Sequence, residues 1–144
     1  VTVSIGVSFE RDSALFDIQQ EIGVYGGDIK INLMPEISGP IERDSYGSII
    51  GKTPSKTLSI KAEPITFNPT KQDLKKAGLE QEYDCIIYCA TKDLTDNSLV
   101  FKDISEERDE VVIDGSTYVI RDKSQYSQFA DAYLYFVLGL YKKT

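Results

Sequence analysis

Histidine is absent from this chain, and with it the usual general base, proton shuttle and commonest metal ligand. Tryptophan is absent as well. The only two cysteines, Cys85 and Cys89, fall in the run Tyr83-Asp84-Cys85-Ile86-Ile87-Tyr88-Cys89, which reads as a strand. Positions i and i+4 of a strand share a face but lie ~13 Å apart. A disulfide needs Cα atoms within ~7 Å, so two buried thiols in a reducing compartment are expected. A zinc site is hard to build from two thiols without histidine. Five prolines and ten glycines are too few for a disordered or collagen-like chain. Cations are scarce too: 16 Lys+Arg against 23 Asp+Glu give a net charge of −7, without the cationic footprint that nucleic acid or an anionic membrane requires. The longest apolar run, Ala132 to Leu140, is far short of the ~20 residues that span a bilayer. No segment reads as a signal peptide or transmembrane helix.

What remains is 144 residues, 41% hydrophobic, the size of one domain with one core. Val1, Val3, Ile5, Val7 and Phe9 alternate with small or polar residues, a period of two that predicts a strand. Leu15, Ile18 and Ile22 share a helical face and predict a short helix over 13–22, with Asp12 or Ser13 as N-cap and Gly23 at its C-terminal end. Ile29, Ile31 and Leu33 alternate in a strand over 28–34. Periodicity then vanishes from Pro35 to Lys56, a length of loop that in compact domains is often functional. Leu58, Ile60 and Ala62, followed by Ile65 and Phe67, restore a strand. Thr70-Lys71-Gln72-Asp73 resembles a capping box, and Gly78 ends that turn of helix. Glu82–Thr91 is the next strand, and Leu99–Phe101 a short one. The five acids between Asp103 and Glu110 suggest a charged, mobile loop. Val111–Ile113, Asp114-Gly115 and Tyr118–Ile120 make the clearest hairpin signal in the chain. A turn or short helix is expected around Ser124–Asp131. The C-terminal aromatic run fits both periods, and its composition favours a strand. Six or seven strands and two short helices point to a small antiparallel barrel or sandwich.

The chemical motifs are incomplete. Gly47-Ser48-Ile49-Ile50-Gly51-Lys52-Thr53 approaches a phosphate-binding loop but holds one residue too few between its glycines, and Pro54 follows where a helix should begin. No serine has a histidine to activate it. Asp93-Leu94-Thr95-Asp96-Asn97 offers oxygen ligands but lacks the glycine and closing glutamate of a calcium loop, and reads as a solvated turn. No enzymatic activity, cofactor or metal is expected.

One ordered set of features is more specific. Arg11-Asp12-Ser13-Ala14-Leu15-Phe16-Asp17 opens a helix near the N-terminus; a glycine-marked strand and a long loop follow. The strand Leu58–Ala62, a helical turn ending in Ala77-Gly78 and the strand Tyr83–Ala90 come next. Then comes Asp109-Glu110-Val111-Val112-Ile113-Asp114-Gly115-Ser116-Thr117-Tyr118-Val119-Ile120, before a tyrosine-rich last strand. Over about residues 9–141 the chain resembles the head-closure (stopper, head–tail joining) proteins of long-tailed bacteriophages. The alternating strand at 1–8 departs from the family's pattern, and residues 1–10 are expected to form an N-terminal arm that docks on a neighbour. The resemblance implies a mainly β fold, a small antiparallel β-barrel with a long inserted loop at 35–56, in keeping with one domain over 1–144 that has two short helices. It implies a structural virion protein of the neck, made in the bacterial host cytoplasm and placed at the head–tail interface. Copies would form a ring, a dodecamer, under the portal and its adaptor, with a tail terminator or tail tube docking on the free face. The loop residues Glu42, Arg43, Asp44, Tyr46, Ile49, Ile50 and Lys52 are the candidates for contact with the channel or with neighbouring subunits.

The residues fit this reading independently. A DNA conduit should not grip DNA, because each cation–phosphate contact adds affinity, and −7 suits such a wall. Nine tyrosines supply contact area with a polar tip. Like charge disfavours spontaneous packing of identical chains, so rings are expected on a preassembled neck. The D-G-x-x-Y-x-I hairpin also occurs in related neck and tail proteins, which leaves a tail terminator or tail-completion protein as the alternative. A cellular β-barrel module that binds a ligand at its mouth is a third.

Overall fold

The computed structural model describes residues 5–35, 45, 54–79, 81–129 and 131–143, with side chains described from residue 10 onward. Six strands close an antiparallel barrel: β1 (Gly27–Leu33), β2 (Lys56–Phe67), β3 (Cys85–Ala90), β4 (Glu110–Ile113), β5 (Ser116–Phe129) and β6 (Ala132–Lys142), in the spatial order β1-β2-β3-β6-β5-β4. Every strand is paired on both sides, so the barrel leaves no open edge. Three α-helices decorate it: α1 (Ile5–Tyr25), α2 (Lys71–Lys76) and α3 (Thr91–Asp96). A 3-10 turn covers Phe101–Asp103.

The period-two pattern sends one face of each strand inward. Ile29, Ile31 and Leu33 meet Leu58, Ala62, Cys85, Ile87, Cys89, Val111, Ile113, Tyr118, Ile120, Phe136, Leu138 and Leu140 in one buried cluster. Leu94 of α3 and Ile104 join the same cluster, so the segment between β3 and β4 contributes to the interior. Burying an aliphatic or aromatic side chain of this size stabilises by roughly 1.5–3 kcal/mol. A second cluster lies on the outer surface, where α2 brings Leu74, Ala77 and Leu79 against Tyr83, Ile86 and Val137.

Local chemistry sets the ends of the elements. Thr70 and Asp73 form the expected reciprocal capping box at α2. That helix ends with Gly78 at φ +76°, its N–H bonded to Lys75 O and the Leu79 N–H to Leu74 O, a Schellman motif sealed by the two leucines. Asp114 and Gly115, at φ +49° and +78°, make the primed turn that joins β4 to β5 with the right twist.

Several expectations are corrected. The predicted strand at the N-terminus is helical from Ile5, and residues 1–4 lie outside the described residues. A barrel already paired on both sides of every strand offers a further strand no ladder, whereas extending a nucleated helix adds a hydrogen bond per residue. Asp12, Ser13 and Gly23 accordingly sit inside α1. Gly26 closes it instead, donating to Ile22 O at 2.7 Å; a Cβ there would lie 2.4 Å from that oxygen. The expected turn at 93–97 is α3, and the expected strand at Leu99–Phe101 runs into the 3-10 turn. The turn or helix expected at Ser124–Asp131 is strand up to Phe129, because β5 pairs with β6 from Tyr118↔Lys142 to Phe129↔Ala132, with one register shift between Ile120 and Asp122.

Gly139 of β6 supplies a test of packing. A Cβ there would fall 2.9–3.1 Å from the Tyr83 ring, which is held by a 2.9 Å hydrogen bond from its hydroxyl to Asp122 and by contact with Tyr141. Gly139→Ala should therefore cost about 1–3 kcal/mol in urea unfolding. Combined with Tyr83→Leu, the loss should be less than the sum of the two single losses.

Candidate functional site

The seven loop positions singled out from the sequence, Glu42, Arg43, Asp44, Tyr46, Ile49, Ile50 and Lys52, lie outside the described residues, as do the phosphate-loop-like glycines. The structure does define how that segment leaves and rejoins the barrel. Leu33, the last residue of β1, pairs with Lys56, the first of β2. The backbone N–H and the hydroxyl of Ser55 both donate to Leu33 O, at 2.8 and 2.9 Å. One pair earlier in the ladder, Thr57 donates to the Asn32 side-chain oxygen at 2.9 Å. Both ends of the insertion thus start from a single closed pair at one rim.

A buried carboxylate fastens that rim. Asp109 is 2% exposed. Its Oδ1 accepts the Met34 N–H at 2.9 Å, and its Oδ2 accepts the Ser105 N–H at 2.6 Å. One side chain therefore ties the exit of β1 to the segment before β4. The Asp109 carbonyl accepts the Ile120 N–H at 3.1 Å, which adds β5 to the same knot. Ser105 Oγ accepts the N–H groups of Glu107 and Arg108, shaping the turn that delivers Asp109. Lys123 secures the other side: its ammonium donates to Phe101 O and Ile104 O and sits 4.7 Å from the Phe101 ring centroid. Burial pushes the Asp109 carboxyl above its ordinary value, while the N–H groups of Ser105 and Met34 and the charges of Arg108 and Lys123 pull it back.

The expectation of a mobile acidic loop at 103–110 is therefore corrected at its end: Asp109 and Glu110 are both buried, and Glu110 meets Lys143 at 3.4 Å. The sequence signal that was present, an acid directly before a β-branched strand, does not distinguish a buried clasp from a solvated charge.

The rest of the chemistry is restrained. Cys85 and Cys89 are free, buried thiols on β3. Burial pushes Cys85 up to about 12 and Cys89 in the same direction, which leaves both protonated and poorly nucleophilic. Among the described residues no three His, Cys, Asp or Glu side chains gather as a metal site. The barrel interior is filled by side chains. On the outer face of β1, β2 and β4 a trough of about 620 Å³ carries mixed charge, Asp28 and Asp114 beside Lys30 and Lys61. No helix among the described residues is long and apolar enough to cross a membrane. No protein-family model matches the chain, and no similar protein is found among curated proteins.

Replacing Asp109 by alanine leaves two half-buried N–H donors without their carboxylate, so urea unfolding should show a loss of about 1–3 kcal/mol. The pH dependence has a definite sign. A carboxyl whose native value is raised binds its proton more tightly when folded, so its contribution to stability grows as pH falls toward 3.8. In Asp109→Asn that contribution is gone, and the stability deficit relative to wild type should widen on acidification through this window. A deficit that narrows in acid would contradict this assignment.

Proposed function

We propose that the chain is a subunit of the head–tail connector of a long-tailed phage, closing the DNA-filled head and offering a docking face to the tail. The observation that carries the reading is the closed barrel from which a long segment, 34–55, departs and returns at one hydrogen-bonded pair, Leu33 and Lys56. A rigid body with one excursion fixed at its root is a suitable part for a ring whose loops meet in a channel. Closure also favours assembly through side chains on outer faces, since no strand edge is free for sheet extension. The net charge of −7 keeps phosphate contacts weak along a DNA path. The side-chain-filled interior argues against a module that takes a ligand into the barrel mouth. Partners in this reading are further copies of the chain in a ring, the portal or its adaptor on one side, and the tail terminator or tube on the other.

The test is to delete Ser38–Thr53 and rejoin the ends with a short glycine turn. Loop closure entropy changes slowly with length, so the subunit should stay folded, with its cooperative thermal transition within a few degrees of the full chain, about 2–4 °C. Particles assembled with the shortened chain should lose DNA or fail to hold tails. Infectious particles would refute the gating role, and a large fall in the melting temperature would place the segment in the core. Full, tailed heads with tails of irregular length would favour the tail-terminator reading.

A further inference from the structure

On the outer surface of the barrel, the strands β2, β3, β6 and β5 carry a groove of about 310 Å³ beside α2. Three tyrosines form its aromatic wall. Tyr88 of β3 meets Tyr126 of β5 at 5.4 Å and 87°, and Tyr135 of β6 at 6.3 Å and 82°. Tyr126 and Tyr135, cross-strand partners in the β5–β6 ladder, are 6.0 Å apart. Pro64, in the bulge of β2, completes the apolar lining. The rings are pinned by one another and by rigid strands, so the wall is formed before anything binds. Yet the three hydroxyls have no hydrogen-bond partner among the described residues, and Tyr126 is 42% exposed.

The rim is acidic. Glu63 and Asp73 line the groove with Lys76 as the only cation among its lining residues. Glu21 of α1 adds a third carboxylate close to Tyr135. Asp73 is engaged by the Thr70 N–H, but Glu21 and Glu63 make no ion pair among the described residues. The electrostatic effect registers on the phenols. Burial first, then the charges of Glu21 and Glu63, pushes Tyr135 above its ordinary value; Tyr88 is raised by burial, then by Tyr126 and Asp73.

We propose that this groove is a docking site for an arginine side chain presented by a partner protein. The occupant follows from charge and shape together. A guanidinium is planar, stacks on aromatic faces and accepts two-point pairing with a carboxylate, and Glu63 stands unpaired beside the rings. An acidic or phosphorylated segment would meet uncompensated carboxylates. A purely apolar residue would leave Glu63 and the tyrosine hydroxyls to be desolvated without a partner. The volume suits one long side chain rather than a helix face. The site rests on the groove alone and is independent of the neck reading.

The test uses the full chain labelled with 3-fluorotyrosine, its resonances assigned through single Tyr→Phe variants. N-acetyl-arginine methylamide is titrated against its neutral isostere, N-acetyl-citrulline methylamide. The arginine probe should move the Tyr88, Tyr126 and Tyr135 signals saturably, and the citrulline probe should bind at least ~5-fold more weakly. Glu63→Gln should weaken the arginine probe about 2–5-fold and leave the citrulline probe unchanged. Tyr126→Ala, on an exposed position, should abolish the response with the thermal transition retained. Equal binding of both probes, or no response from the three tyrosines, would overturn the proposal. So would movement of the same signals on simple concentration of the protein, lost in Tyr126→Ala, since the occupant would then be a second copy of this chain.

Discussion

The architecture depends on a seam four residues long. β4, Glu110–Ile113, pairs with β1 on one side and β5 on the other, and without it the sheet would be open. So short a strand gains little from its own propensity, and its position is imposed from both ends. At the C-terminal end the Asp114–Gly115 turn returns the chain directly into β5. At the N-terminal end Asp109, the residue immediately before β4, is bonded to Met34 just past β1 and to Ser105. The carboxylate is costly to bury but satisfied on both oxygens, and it joins the two strands that must meet for the barrel to close. The same clasp sits at the root of the long insertion, so closure and presentation of that segment share one interaction.

The strands were legible where burial is one-sided. Ile29, Ile31 and Leu33, or Leu58 and Ala62, alternate because one face is in the core and the other in solvent. The α2 caps were legible because capping is local chemistry between residues three apart. The failures have a common cause. Residues 5–9 alternate as a strand would, but the barrel has no vacant edge to receive them. Residues 124–129 are polar enough to read as a turn, yet β6 lies alongside and completes their ladder. In both cases the deciding partner is distant in sequence.

The same distance explains what could be read of the sites. Asp109 finds Met34 across 75 positions, and no local pattern marks an acid for burial by such a route. The abundance of tyrosine suggested contact surface, but grouping Tyr88, Tyr126 and Tyr135 required the order β3-β6-β5. The absence of histidine, by contrast, needed no fold to interpret: it removes a whole class of acid–base chemistry wherever the residues end up.

The β1–β4 seam also sets the order in which the molecule can form. The β5–β6 pair is a long hairpin whose partners are close in the chain, and it can assemble early with little loss of chain entropy. Pairing Ile29 with Ile113 requires most of the intervening chain to be arranged first. Long-range pairing of this kind slows folding, and it places the barrel among the slower topologies for its size. Until the seam closes, β1 and β4 each expose a strand edge able to recruit a foreign strand, so the hazard of aggregation belongs to the nascent chain and ends when β4 docks on β1.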